Sequence, residues 1–142
     1  MDFDIEKSVG FLLAKAHQNL FAQFRDLLAP HGITPPQFAL LGFLWKQDGL
    51  SQVELSEKTE IDRTTLSGLI DRLEKQGLVT RQPHPGDRRA FLVALTSAGR
   101  AIESLLVPLA MQIRQQLKDG LSPEEYEQLC FLLNRLRGVR HD

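Results

Sequence analysis

Between Arg63 and Lys75 the sequence RTTLSGLIDRLEK places short hydroxyls, a glycine and long cations at helical spacing. Leu66, Leu69, Ile70 and Leu73 follow i, i+3, i+4 and i+7, the signature of one buried stripe. The opposite face is centred on Thr64, Gly68, Asp71 and Lys75 and flanked by Arg63, Thr65, Ser67 and Arg72. That mixture suits a helix sliding into a major groove. Thr and Ser bond base edges or phosphates, Arg forks onto guanine, and Gly lets the backbone approach. The bland alternative is a solvated face with an i,i+4 pair between Asp71 and Lys75. A second cluster follows, where His84, Arg88 and Arg89 crowd the turn PHPGDRR, with Arg81 just ahead of it. An arginine at such a tip is drawn to the negative potential of a narrow minor groove. An ordinary charged β-turn is the alternative for that stretch taken alone.

Other chemistry is hard to find. The sequence has no glycine-rich phosphate loop, no HExxH, no nucleophile elbow, and no Ser or Cys with an evident base beside it. The expectation is no enzyme and no cofactor. His17, His31 and His84 form no ligand spacing with another His or Cys, so no metal is expected. Cys130 is the single cysteine, which excludes an internal disulfide and any Cys-rich zinc framework. It lies in the apolar run Leu129-Cys130-Phe131-Leu132 and reads as a buried packing residue rather than a redox sensor.

The elements that must carry these residues follow from periodicity and punctuation. A first helix is expected from Ile5 to Leu28, ended by Pro30 and Gly32, with a stripe of Ile5, Val9, Leu12, Ala16, Leu20 and Leu27. Phe11, Ala14, Phe21 and Ala22 make it apolar on further faces, which in a short chain points to a partner subunit. Thr34, Pro35 and Gln37 start a second helix that carries Phe38, Leu41, Leu44 and Trp45 and stops by Gly49. Ser51-x-x-Glu54 opens a short third, with Val53 and Leu55 as its apolar contacts. After a turn at Glu60 and Ile61, Asp62 caps the fourth, which ends at Gly77. Two short helices joined so briefly read as a helix-turn-helix. The period then becomes two: Leu78–Gln82 and Phe91–Leu95 predict a hairpin with residues 83–87 in its loop. Thr96 caps a long helix striped by Ile102, Leu105, Leu109, Ile113 and Leu117, with a kink expected at Pro108. Ser122-Pro-Glu-Glu125 starts a last helix carrying Leu129, Leu132, Leu133 and Leu136. The fold class is mainly α with a small β-hairpin.

Residues 50–102 resemble the winged-helix core of the MarR family of bacterial transcriptional regulators, most specifically through Leu69-Ile70-Asp71-Arg72-Leu73-Glu74, Gly77-Leu78-Val79, Asp87-Arg88-Arg89 and Leu95-Thr96-x-x-Gly99. The flanking helices match the family layout. The resemblance implies a winged helix-turn-helix core over 33–96, flanked by a helical dimerisation region formed by 1–32 and 97–142. It implies that Arg89 enters the minor groove, that Asp87 braces that arginine, and that Arg63 to Ser67 open the recognition helix. It also implies a homodimer on a pseudo-palindromic operator with half-sites about 34 Å apart, and a repressor released by a small ligand or oxidant. The peroxide-sensing branch has its cysteine near the start of the first helix, where this chain has Leu12 and Leu13. An aromatic or phenolic acid is the more plausible signal, with His17 and Phe21 on the first helix and Phe43 and Trp45 on the second as candidate ligand contacts. Satisfied boundary and core residues are the competing reading of those four.

The chain has 142 residues, and 17 Lys+Arg against 18 Asp+Glu leave a net charge of −1. The length fits one domain with helical extensions, and 42% hydrophobic residues argue against disorder. No apolar run approaches a bilayer span and the acidic start lacks a signal core, so a cytoplasmic location is expected. Near-neutrality taken alone argues against double-stranded DNA, but residues 60–95 carry six basic and five acidic side chains and are the most basic part. Arg63, Arg72, Lys75, Arg88 and Arg89 fall on the face and tip that would meet it. Weak non-specific affinity is expected, with discrimination resting on a few placed contacts. A winged-helix module for protein–protein contact without base reading is the alternative.

Overall fold

The computed structural model describes residues 2–138; residue 1 and residues 139–142, the outer ends of the two flanking segments, lie outside the described residues. The elements run α1 (Val9–Leu28), α2 (Pro35–Lys46), β1 (Leu50–Ser51), α3 (Gln52–Thr59), α4 (Arg63–Lys75), β2 (Val79–His84), β3 (Asp87–Leu95), α5 (Ser97–Ala101), α6 (Glu103–Asp119) and α7 (Pro123–Arg137). Local chemistry sets the helix starts. Thr34 and Gln37, Ser51 and Glu54, and Ser122 and Glu125 each close a reciprocal capping box. Asp62 accepts from the Thr65 backbone amide at 2.9 Å and begins α4.

Apolar burial then assembles the reader. Leu66, Leu69, Ile70 and Leu73 of α4 are buried with Leu40, Leu41 and Leu44 of α2, Leu55 of α3 and Val93 of β3. The strands order β1-β3-β2, all antiparallel. Gly77, at φ +75°, lets the chain leave α4 and enter β2 directly.

Several expectations need correction. A short 3-10 turn, Ile5–Lys7, precedes the first helix, because Ser8 is extended and separates it from α1. The pairing of Leu50–Ser51 with Val93 and Leu92 is a strand too short for period-two reading to reveal. The hairpin is longer than expected, with Pro85 and Gly86 at its tip. Its ladder pairs His84 with Asp87 and then Pro83 with Phe91, so residues 88–90 bulge out. Pro83 has no N–H to donate, which fits an interruption there. The expected long helix is divided at Ile102 into α5 and α6, while Pro108 lies inside α6. The Gly99 carbonyl just before that break accepts from the Trp45 indole at 2.9 Å.

Burial of the flanking helices differs most. Leu106 is the buried residue of α6 and Leu105 is exposed. Val9 and Leu12 of α1 and Leu129, Leu132, Leu133 and Leu136 of α7 are exposed, and α7 buries no residue at all. Cys130 is exposed, not buried: α7 packs chiefly along its α6 side and buries no residue. Val53, expected to pack, is 44% exposed beside the hairpin.

Candidate nucleic-acid interface

Helix α4 presents the face that its periodicity requires. Arg63, Thr64, Thr65, Asp71, Arg72 and Lys75 are exposed, and Ser67 and Gly68 are half-buried at the edge of the stripe. At its start Asp62 holds both ends of Thr65, accepting from the backbone amide at 2.9 Å and from the hydroxyl at 3.0 Å. Those two bonds, the backbone one foremost, hold the Asp62 carboxyl below its ordinary pKa. Glu54 at the start of α3 is lowered in the same way, by the Ser51 backbone amide and then the Ser51 hydroxyl. Both carboxylates are therefore committed to holding the two helices of the helix-turn-helix.

The hairpin supplies the second set. His84 is half-buried, and its Nδ1 accepts from the Gly86 amide at 3.0 Å, closing the tip. Asp87, Arg88 and Arg89 are exposed. Asp87 meets Arg89 at the backbone: its carboxylate accepts from the Arg89 amide at 2.9 Å. The side chains of the pair form no ion pair among the described residues.

Tertiary packing brings the two sets together. Arg63 from the start of α4 and Arg89 from β3 line one hollow of about 230 Å³, with Ser51, Gln52 and Val53 at the start of α3 and Phe91. Arg72 and Lys75, a few turns along α4, line another with Gly32 and Thr34 at the start of α2. Arg63, Arg72, Lys75, Arg88 and Arg89 take part in no ion pair among the described residues.

Arg81 behaves differently from the cations it was grouped with. Its guanidinium donates to Asp71 at 2.5 Å and to Glu74 at 2.9 Å, and lies 5.0 Å from the centre of the Phe91 ring. Its backbone amide also donates to Glu74 at 3.2 Å. Asp71 is thus paired across to β2 rather than with Lys75. The long-range contact was invisible to helical spacing, although a cation opposite two helix acids just after Gly77 was a usable signal. Arg81 neutralises the acids of α4 and fastens that helix to the hairpin.

The four candidate ligand residues do not gather in one cavity. His17 and Phe21 stack with ring centres 5.5 Å apart on α1. Trp45 packs edge-on against Phe38, which meets Phe24 of α1. Phe43 lines a separate hollow of about 250 Å³ with Lys46, Gln47, Leu50 and Lys58.

Comparison with known proteins decides the family. The MarR family model matches residues 31–90. Over 134 residues the chain is 34% identical to the HTH-type transcriptional repressor NicR of Pseudomonas putida, covering 94% of this chain and 85% of that protein. The chain belongs to the MarR family. It is a winged-helix DNA-binding transcriptional regulator, with α3 and α4 as the helix-turn-helix and β2 and β3 as the wing. Another relative within the family is the multiple antibiotic resistance protein MarR of Escherichia coli, 31% identical over 90% of each chain. The solved structure of BpsR from Bordetella bronchiseptica, described in terms of regulation of DNA binding by 6-hydroxynicotinic acid, superposes with a TM-score of 0.93. That chain is 34% identical, with 99% of this chain and 100% of that one covered.

Proposed function

We propose that this MarR-family protein binds a pseudo-palindromic operator as a homodimer, with α4 in the major groove and the wing arginine Arg89 in the minor groove. The observation that carries this reading is the shared hollow of Arg63 and Arg89, which sets the first cation of α4 beside the wing. Major- and minor-groove contacts by one protomer need that adjacency. Thr64, Thr65, Ser67, Gly68 and Arg72 would face base edges, while Lys75, His84 and Arg88 would meet phosphates. Residues 33–96 would form the reader, and residues 1–32 and 97–142 would hold two readers apart. Binding to a palindromic duplex should fall steeply with salt, and Arg89→Ala should weaken it by roughly tenfold to a hundredfold. A flat salt response together with unchanged affinity in the variant would exclude DNA reading.

The signal would be a small aromatic or phenolic acid that favours a DNA-incompetent separation of the readers, making the protein a ligand-released repressor. Support comes from the regulation of BpsR by 6-hydroxynicotinic acid and from the exposed His17 ring stacked on Phe21. An imidazole beside an aromatic wall suits a ring bearing a carboxylate or phenol. The ligand's leverage is limited to its differential affinity for the two states. A thermal-shift series of such acids should stabilise the native protein and spare His17→Ala. Absence of any shift across the series would count against an aromatic-acid signal. A cytoplasmic location goes with this role.

A further inference from the structure

We propose that the seat of Gly99 against Leu78 and Trp45 is the pivot that fixes the angle between reader and α6, and so selects the half-site spacing. This inference rests on the dimeric DNA-binding reading above.

The seat is tight and is held from every side. A Cβ on Gly99 would overlap the Leu78 carbonyl oxygen, stand 3.0 Å from the Leu78 carbonyl carbon and lie 3.2 Å from Leu95 Cδ2. The first two are backbone atoms of the segment entering the wing, so they cannot swing aside as a side-chain end would. The Leu78 carbonyl also accepts from the Thr96 amide at 3.0 Å. The Thr96 hydroxyl donates to the Gly77 carbonyl at 2.6 Å and accepts from the Gly99 amide at 3.0 Å. On the other side the Trp45 indole donates to the Gly99 carbonyl. Asp48 completes the joint, accepting from the Leu95 amide and from the Arg100 guanidinium, both at 2.8 Å.

Trp45 also belongs to the second attachment of the flanking helices. Its ring meets Phe38, and Phe38 meets Phe24 of α1, with centres 5.7 Å and 4.9 Å apart. Trp45 therefore touches both attachments, beside the burial of Leu28 of α1 and Leu106 of α6 in the reader's core. Immediately beyond Gly99 the helix breaks at Ile102 and α6 begins. Its 17 residues make a lever ~25 Å long. A shift of about one ångström at the pivot grows along that lever toward one base-pair step, ~3.4 Å.

The test is selection from random duplexes with the full chain, comparing wild type with Gly99→Ala and Trp45→Phe. The phenylalanine keeps a ring against Phe38 and removes only the indole donor, which covers the case of Gly99→Ala failing to fold. Wild type should enrich paired half-sites about 10 base pairs apart, centre to centre. The variants should enrich the same half-site sequence at a shifted or broadened spacing. On the duplex preferred by wild type their affinity should fall about tenfold, with binding to a single half-site unchanged. The same sharp spacing in a folded variant overturns the pivot, as does a changed half-site sequence. Enrichment of unpaired half-sites by wild type removes the dimeric reading, and the pivot with it.

Discussion

Arg81 turns its charge inward. Its side chain is only 23% exposed, yet its partners Asp71 and Glu74 lie on the open surface of α4. Removing the guanidinium leaves two unpaired carboxylates on α4, which in the proposed complex would face the phosphates. Arg81→Met keeps an apolar stem over Phe91 and deletes the charge. Two partly exposed ion pairs are worth about 1 kcal/mol together, so the urea midpoint should drop modestly. Duplex association should slow more than dissociation quickens, and the deficit should shrink as salt rises. Stopped-flow binding across ionic strength checks this; rates matching wild type at low salt would show that the acids of α4 do not face the duplex. Residue identities on α4 were legible because one face had to be apolar and the rest had to be wet. The partner of Asp71 was not legible, because helical spacing offers only Lys75 and the real partner arrives from the next strand.

At the scale of elements, the helix starts were the most readable feature and their protonation is their weak point. Asp62 has a folded pKa below its unfolded one because Thr65 donates to its carboxylate through the backbone and then the hydroxyl. Such a group stabilises the folded state fully above its unfolded pKa, and the contribution is lost as pH falls through the lowered folded value. The exchange protection of the Thr65 amide, taken relative to its intrinsic rate at each pH, should therefore fall once pH drops below the ordinary carboxylate range, about pH 4. Asp62→Asn, which still caps but does not titrate, should lose most of that dependence. Equal pH sensitivity in both proteins would place the acid weakness elsewhere. The capping boxes could be read because each is complete within four consecutive residues. The two-residue β1 and the break at Ile102 could not be, since β1 exists only through its pairing with β3 and the helix before the break is tied to α2. The bulge at residues 88–90 is local, but it follows from the strand register that Pro83 interrupts. Trp45 to Gly99 is the clearest contact between segments far apart in sequence.

For the whole molecule, the question is what covers the flanking helices. Phe3, Ile5, Val9, Phe11, Leu12 and Leu13 are exposed at the N-terminal end, and Leu129, Phe131, Leu132, Leu133 and Leu136 are exposed on α7. Phe131 is 62% exposed, whereas the reader buries its leucines almost completely. Exposed apolar side chains gathered on a helix in this way mark an association site, and two-fold pairing is the commonest way to cover one. The multi-sided apolar pattern of the first helix was readable in sequence, while Cys130 misled because an apolar run on α7 was read as interior although that helix leaves it exposed. If these faces pair, Leu133→Asp places a charge where its partner cannot solvate it. Sedimentation should then show a monomer at concentrations where wild type is a dimer, with the helical circular dichroism of the reader retained. Operator affinity should fall by about a hundredfold or more, because the second half-site is no longer held at high effective concentration. Single half-site binding should survive, since the reader's core does not include α7. A dimer that persists in the variant, with undiminished operator affinity, would move the interface off α7.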